Sequence, residues 1–134
     1  MKKEDKIKVL CVKPEQEPEV VELENTIVAM QEMVGGYIEE LRIFGNPVVL
    51  ICNEDGKCMG LPLNRMLYDG RSGQPYDILS GTFLVVGIKG DGFCSLSDDM
   101  LRKYEKMYHD PEVFYRTKDG VMMVKGERKT QDAL

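Results

Sequence analysis

Hydrophobic and polar residues alternate along several short segments of the chain, which is the pattern expected of half-buried β-strands. In the segment 6–13, Ile7, Val9 and Cys11 alternate with lysines, and β-branched residues return at 19–23 after a turn bounded by prolines. The same pattern, or a short apolar run typical of a central strand, predicts further strands at 37–43, 47–52, 82–88, 93–96, 113–117 and 121–125.

Two other segments repeat their apolar residues at helical spacing. The first, 26–34, follows Asn25 at the predicted N-cap position and is stopped by Gly35-Gly36. The second begins after Ser97, another N-cap residue, and extends to about His109. Its apolar stripe is predicted to consist of Met100, Leu101, Tyr104, Met107 and Tyr108.

Dipeptides that favour tight turns separate several of the predicted strands. Hairpins are expected at Gly45-Asn46 and Asp119-Gly120, and a third at Asp55-Gly56, with Lys57 to Leu61 as its returning strand. Residues 62–81 lose all periodicity and are rich in glycine and proline, so they are predicted to form a long, packed loop.

These elements predict a single α+β domain over residues 1–125, built mainly from an antiparallel sheet with two helices and a C-terminal β-hairpin. A parallel pairing through the first helix is not expected. A length of 134 residues suits one hydrophobic core, and four cysteines are too few for a disulfide scaffold. Residues 126–134 are predicted to form a flexible tail.

The overall charge narrows the classes of partner. The 18 Lys and Arg residues are outnumbered by 23 Asp and Glu residues, giving a net charge of −5, which argues against direct binding to duplex DNA. No apolar stretch is long enough to cross a membrane, and the N-terminus lacks the features of a signal peptide. We therefore expect no membrane contact and a cytoplasmic location.

The acidic residues are concentrated in one part of the sequence. Between Pro14 and Leu41 there are eight acids and no lysine or arginine. These acids are either a solvated face that also protects an edge strand, or a field that docks on a basic surface of another protein. The residues assigned to this candidate protein-binding face are Glu22, Glu24, Glu32, Glu39 and Glu40.

A second candidate site lies in the predicted long loop, whose arginines, phenols and amide are the groups that recognise phosphates and nucleotides. The candidate ligand-binding residues are Asn64, Arg65, Tyr68, Arg71, Tyr76 and Asp77. Such a ligand would be a nucleotide signal bound at the interface of a homodimer. In the alternative interpretation, the two arginines pair with Asp69 and Asp77 and simply hold the loop closed.

Catalytic and metal-binding patterns are missing from the sequence. The four cysteines are scattered without a C-x-x-C motif, so no metal site is predicted. The single histidine has no nucleophile motif around it, and the glycines of 87–92 do not match a dinucleotide or P-loop pattern. We therefore expect a protein that is not an enzyme and needs no cofactor.

The positions of the cysteines predict different reactivities. Cys11, Cys52 and Cys94 lie in apolar, strand-like runs and are expected to be buried, whereas Cys58 lies next to a turn and is expected to react first. A three-residue turn would place Cys52 opposite Cys58, whereas a two-residue turn at Asp55-Gly56 would put them out of register. A cytosolic disulfide between them is not expected.

The order of segments over residues 7–104 resembles a family of short proteins known only as a domain of unknown function. The segments VGGYIE, GLPLNR and DILSGTFLV carry this resemblance. The family is met mainly in Gram-positive gut bacteria, their phages and their integrative elements, and it has no assigned reaction or site residues. The C-terminal hairpin lies outside the resemblance.

The setting of that family implies a role in counter-defence. Small, acidic, non-enzymatic proteins of phages and mobile elements often bind a host immune protein or sequester its signal. The expectation is therefore an inhibitor that occupies the basic surface of a host nucleic-acid-binding immune protein, such as a CRISPR effector. The alternative is a binder or sponge for a nucleotide signal that uses the 62–80 loop.

Overall fold

The computed structural model describes residues 5–45 and 47–125, and within them the chain forms ten strands and two helices. In chain order these are β1 (Lys6–Val12), β2 (Glu19–Glu24), α1 (Ile27–Val34), β3 (Ile38–Leu41), β4 (Val48–Asn53), β5 (Leu63–Tyr68), β6 (Pro75–Ser80), β7 (Phe83–Lys89), β8 (Gly92–Cys94), α2 (Asp98–Met107), β9 (Glu112–Thr117) and β10 (Gly120–Lys125). The predicted α+β architecture is confirmed.

The main sheet has the strand order β2-β1-β7-β4-β3, and β8 pairs with the end of β7. All of these pairs are antiparallel. The predicted central strand, β4, is buried along its whole length, but it lies beside the true centre, β7. Both strands are buried on two faces because a layer of structure covers each side of the sheet.

Helix α1 connects β2 to β3 across one face of the main sheet. Those two strands point in the same direction, yet they form opposite edges and do not pair, so the expected absence of parallel pairing holds for the described strands. The helix buries Met30 and Val34 against Val9, Ile51 and Leu84 of the sheet. This layer is one half of the hydrophobic core.

The start of α1 differs by one residue from the prediction. Thr26, not Asn25, is the N-cap: its Oγ1 accepts a hydrogen bond from the backbone N–H of Ala29 at 3.1 Å. Asn25 is instead buried, and its side-chain amide donates to the carbonyl of Phe93 at 3.0 Å. The helix ends as predicted at Gly35, whose φ of +81° is the left-handed conformation that glycine adopts without strain.

Helix α2 covers the opposite face of the sheet and supplies the second half of the core. Its N-cap is Ser97, as predicted. Of the predicted stripe, Leu101, Tyr104 and Tyr108 are buried and Met100 is half-buried against the same core cluster, whereas Met107 is exposed. No helix among the described residues is long and apolar enough to cross a membrane.

The predicted loop at 62–81 is wrong, because strands β5 and β6 form an antiparallel pair within it. The pairing is irregular between Leu63 and Arg65 and again between Leu67 and Tyr68. Such irregularities break the two-residue alternation on which the prediction depends. The β5–β6 pair packs its Leu67 and Leu79 into the same layer as α2.

The predicted hairpin at Asp55-Gly56 is also wrong, because the residues after β4 form consecutive turns, not a returning strand. The N–H of Met59 donates to the carbonyl of Asp55 at 2.9 Å, and the N–H of Leu61 donates to that of Gly56 at 3.0 Å. Glycine is needed at position 56 for another reason, since a Cβ there would lie 2.8 Å from the carbonyl oxygen of Ser80.

The two other predicted hairpins have the expected strand pairs. Strands β9 and β10 pair around Lys118 and Asp119, and β3 pairs with β4. Asn46 itself, and the tail predicted at 126–134, lie outside the described residues. The single-domain boundary at residue 125 stays a prediction.

Candidate functional site

Arg65 and Asn64, two residues of the predicted ligand-binding loop, are fully buried structural residues of β5. The Nη2 of Arg65 donates to the carbonyl of Gln16 at 2.7 Å and to that of Tyr108 at 2.8 Å. Its Nη1 donates to the Asn64 side-chain oxygen at 2.9 Å. The guanidinium therefore joins β5 to two other segments of the same chain, and a phosphate cannot reach it without opening the fold.

The amide of Asn64 extends the same buried network. Its Nδ2 donates to the carbonyl of Val12 at 2.9 Å and to that of Gly81 at 2.8 Å. These bonds fix β5 against the end of β1 and the residue that follows β6. A buried network with satisfied donors gives a unique packing arrangement, which is a structural role.

The remaining residues of that candidate site are exposed on one strand pair. Tyr68, Arg71, Tyr76 and Asp77 all lie at the surface of the β5–β6 pair and its turn. The expected pairing of both arginines with Asp69 and Asp77 is wrong for Arg65, which binds carbonyl groups, and Asp77 binds Lys57. Backbone N–H groups of Arg71 and Ser72 hydrogen-bond to Asp69 and lower the pKa of its carboxyl.

The five acids assigned to the protein-binding face do not form one patch. Glu22 and Glu24 lie on β2, Glu39 and Glu40 on β3, and Glu32 on α1. Because β2 and β3 are the first and fifth strands of the sheet, and neighbouring strands are about 4.8 Å apart, the two pairs are roughly 19 Å apart.

The glutamates of β2 also have lysine neighbours on β1, which lie outside the acidic segment 14–41 of the sequence. In the antiparallel register, Glu22 lies opposite Lys8 and Glu24 lies opposite Lys6. Residues paired in this way share a face of the sheet, so their charges offset one another. The β2 edge therefore presents a mixed-charge surface, as expected for a solvated edge strand.

The two acids of β3 point to opposite faces. Glu40 lies on the α1 side and forms an ion pair with Arg42 at 3.0 Å. Glu39 lies on the α2 side, opposite Cys52, with its Oε1 4.0 Å from that Sγ. Only Glu39 of the predicted face therefore faces the cleft described next.

A cleft of about 330 Å³ lies between β3–β4, the turns after β4, and β6. We call it the acidic cleft, because its lining contains four carboxylates and one ammonium group: Glu39, Glu54, Asp55, Asp77 and Lys57. The ammonium of Lys57 is hydrogen-bonded to the carboxylate of Asp77. The cleft therefore carries an excess of negative charge that attracts cations and repels phosphates.

Asn53 organises the rim of the acidic cleft. Its Nδ2 donates to the carbonyl of Val34 at the end of α1, at 3.1 Å. Its Oδ1 accepts from the backbone N–H of Asp55 at 2.7 Å, which holds the first turn after β4. A buried asparagine thus fixes the segment that presents Glu54 and Asp55 to solvent.

A second, more apolar pocket of about 250 Å³ opens between β5, the end of α2 and the start of β9. Its lining consists of Phe44, Met66, Tyr68, Asp69, Gly70, Met107, Tyr108 and Glu112. The Oε1 of Glu112 accepts a hydrogen bond from the backbone N–H of Met66 at 2.7 Å. The pocket is smaller than most sites for drug-sized ligands, which occupy about 300–1,000 Å³.

The structure separates the cysteines by exposure. Cys11 and Cys52 are buried as expected and Cys58 is exposed, whereas Cys94, which was expected to be buried, is only half-buried; none of the four forms a disulfide in the described structure. The question of hairpin register between Cys52 and Cys58 does not arise, because Cys58 lies in the turns after β4. Both residues line the acidic cleft.

Thiol labelling under native conditions should proceed first at Cys58. Burial raises the pKa of Cys11 to about 11 and that of Cys52 to about 12, so both thiols hold very little of the reactive thiolate. Peptide mass spectrometry after timed maleimide labelling should show Cys58 first, Cys94 next and the buried pair last. In urea the four rates should converge. Native labelling of Cys11 as fast as Cys58 would contradict this placement.

Among the described residues, no group of three or more His, Cys, Asp or Glu side chains is placed to hold a metal ion. His109, beyond the end of α2, has carboxylates as neighbours: its Nε2 is 3.5 Å from Glu17 Oε1 and its Nδ1 is 3.0 Å from Asp110 Oδ1. These contacts connect α2 to the segment between β1 and β2.

A sequence-family model described as "Domain of unknown function (DUF3846)" matches residues 7–109. No curated protein and no solved structure matches the chain significantly. The matched range extends from β1 through α2 and contains every residue of the acidic cleft, whereas β9 and β10 lie outside it. Since the match covers well over half of the chain, the protein belongs to this family of unknown function, DUF3846.

Proposed function

We propose that this protein is a non-catalytic binding protein that docks its acidic cleft on a basic surface of another protein. The observation that carries this proposal is the charge of the cleft, where four carboxylates face one lysine that is already bonded to Asp77. Glu54 and Asp55 are exposed at its rim, so an arginine or lysine side chain of a partner could reach them. Such complementarity mainly increases the rate and specificity of association.

The partner class that suits this surface is a protein that binds nucleic acid. The basic channel of such a partner binds the phosphates of nucleic acid, and an acidic protein that occupies the channel excludes the nucleic acid. Together with the resemblance to proteins of phages and mobile elements, this favours an inhibitor of a host immune protein, such as a CRISPR effector, acting in the host cytoplasm. The family membership alone carries no function.

A small-molecule binder is the second candidate, and the apolar pocket beside β5 is the observation that favours it. Part of its lining, from Met66 to Gly70, comes from the 62–80 segment. A nucleotide signal is nevertheless poorly matched to this molecule, because Arg65 is committed to backbone carbonyls and the larger cleft is acidic. A ligand of this pocket would be small and largely apolar.

Charge reversal at the acidic cleft tests the first proposal. In the variant Glu39→Lys/Glu54→Lys/Asp55→Lys, affinity for a fluorescent arginine-rich peptide should fall at least about tenfold, which corresponds to about 1.4 kcal/mol. Fluorescence anisotropy at increasing salt should show the wild-type association weakening, because salt screens exposed charges. In a cleavage assay, the wild type should inhibit a guide-loaded CRISPR effector and the variant should not.

The matched control is Glu22→Lys/Glu24→Lys/Glu32→Lys, which changes the net charge equally but lies away from the cleft. This control should bind the peptide as the wild type does, and circular dichroism should confirm that both variants fold. If the control loses binding while the cleft variant keeps it, the surface of β2 and α1 is the docking surface and the cleft is not. Equal binding by all three proteins would overturn docking through either surface.

A further inference from the structure

The outer edge of the C-terminal hairpin, formed by β10, has no strand partner within the described residues. Among the described strands, β10 pairs only with β9, and the two form a separate two-stranded sheet. The pairing is regular over six residue pairs, from Gly120–Thr117 to Lys125–Glu112, with no bulge. The backbone N–H and C=O groups on the outer side of β10 are therefore arranged to pair with another strand.

Three other strand edges in the described part of the chain, those of β2, β3 and β6, are protected against such pairing. Strand β2 follows Pro18 and carries three glutamates, and β3 has only four residues, two of them glutamates. Strand β6 begins at Pro75, and its pairing is irregular. In contrast, Val121 to Val124 contain no charge and no proline. Charges, prolines, bulges and short length are the devices by which proteins block edge pairing, and β10 has none of them over these residues.

The hairpin also exposes apolar side chains. Met122 is 52% exposed and Tyr115 is 43% exposed, and the two lie opposite each other on one face of the hairpin. Val121 is similarly exposed. An isolated two-stranded hairpin is at best marginally stable in water and needs further strands or a packed face. The β9–β10 hairpin therefore has an edge without a strand partner among the described residues, and it has exposed apolar surface that another strand can cover.

We infer that β10 pairs antiparallel with β10 of a second copy of this chain, giving a four-stranded sheet across a two-fold axis. A second copy fits this edge, because a strand paired with its own copy across a two-fold axis is antiparallel and each edge supplies the donors that the other accepts. The uncharged run from Val121 to Val124 also places no like charges opposite each other, although the chain as a whole carries a net charge of −5.

The oligomeric state in solution tests this inference independently of the proposed binding function. Analytical ultracentrifugation of the full chain should give twice the 15.2 kDa chain mass, with dissociation on dilution. The variant Val121→Lys/Met122→Lys should shift the species to monomer, because it places four positive charges, two from each copy, along the paired strands. The matched control Val20→Lys, on the exposed β2 edge, should remain a dimer.

A cross-linking experiment covers the case in which the lysine variant fails to fold. In a Cys58→Ser background, which removes the exposed native thiol, Met122→Cys should give a covalent dimer with a short bismaleimide, and Val20→Cys should not. A wild-type protein that is monomeric at every concentration would overturn the inference. So would a dimer that cross-links through position 20 and not through position 122.

Discussion

Replacing Arg65 with alanine is expected to lower the free energy of unfolding by about 3–5 kcal/mol. The side chain is fully buried, and its guanidinium donates to the carbonyls of Gln16 and Tyr108 and to the side chain of Asn64. Truncation removes these donors, leaves the acceptors of Asn64 and Tyr108 buried without them and opens a cavity. Because the guanidinium connects three separate segments, the loss should be felt by the whole fold.

Urea unfolding followed by circular dichroism measures this effect. The matched control is Arg71→Ala, which removes an exposed guanidinium from the β5–β6 turn and should change the free energy of unfolding by less than about 0.5 kcal/mol. If Arg65→Ala were as stable as this control, the buried network would contribute little to stability and the structural role assigned to Arg65 would be wrong.

Phe83→Ala should be similarly destabilising, by about 3–5 kcal/mol, through loss of apolar contacts and a residual cavity. Phe83 is fully buried at the start of the central strand, where its ring meets Tyr108 edge-on with centroids 5.1 Å apart. The control Tyr37→Ala removes a ring that is 71% exposed and should have little effect on the midpoint of urea unfolding. A loss below about 1 kcal/mol for Phe83→Ala would show that this core layer repacks freely.

Residue patterns were sufficient for the elements with regular periodicity. Strands β1, β4 and β7 and both helices follow from apolar spacing and local capping residues, and these signals depend on nearby sequence alone. The β5–β6 pair could not be found in this way. Its irregular pairing breaks the alternation, and residues such as Arg65 and Asn64, which are polar in sequence, lie in the buried interior.

The candidate site depended on tertiary structure that one sequence does not reveal. Glu39, Asp55 and Asp77 are far apart in the chain, and they meet only because β6 packs beside β4 and its turns. Conversely, the acidic run that prompted the binding hypothesis is divided between opposite edges of the sheet. The lysines that neighbour its β2 part come from β1, outside that run. Of the five acids chosen from sequence, only Glu39 lines the acidic cleft.

The central strand, β7, lies late in the sequence, and this affects how the protein folds during synthesis. Strands β1 and β2 form a local hairpin, and so do β3 and β4, but Phe83–Lys89 must insert between these two units to join them. A chain emerging from the ribosome therefore holds two half-sheets with unpaired inner edges until β7 has been released. Such non-local closure is slow and leaves edges open to aggregation. Truncation before Phe83 thus removes the middle of the sheet, not its end.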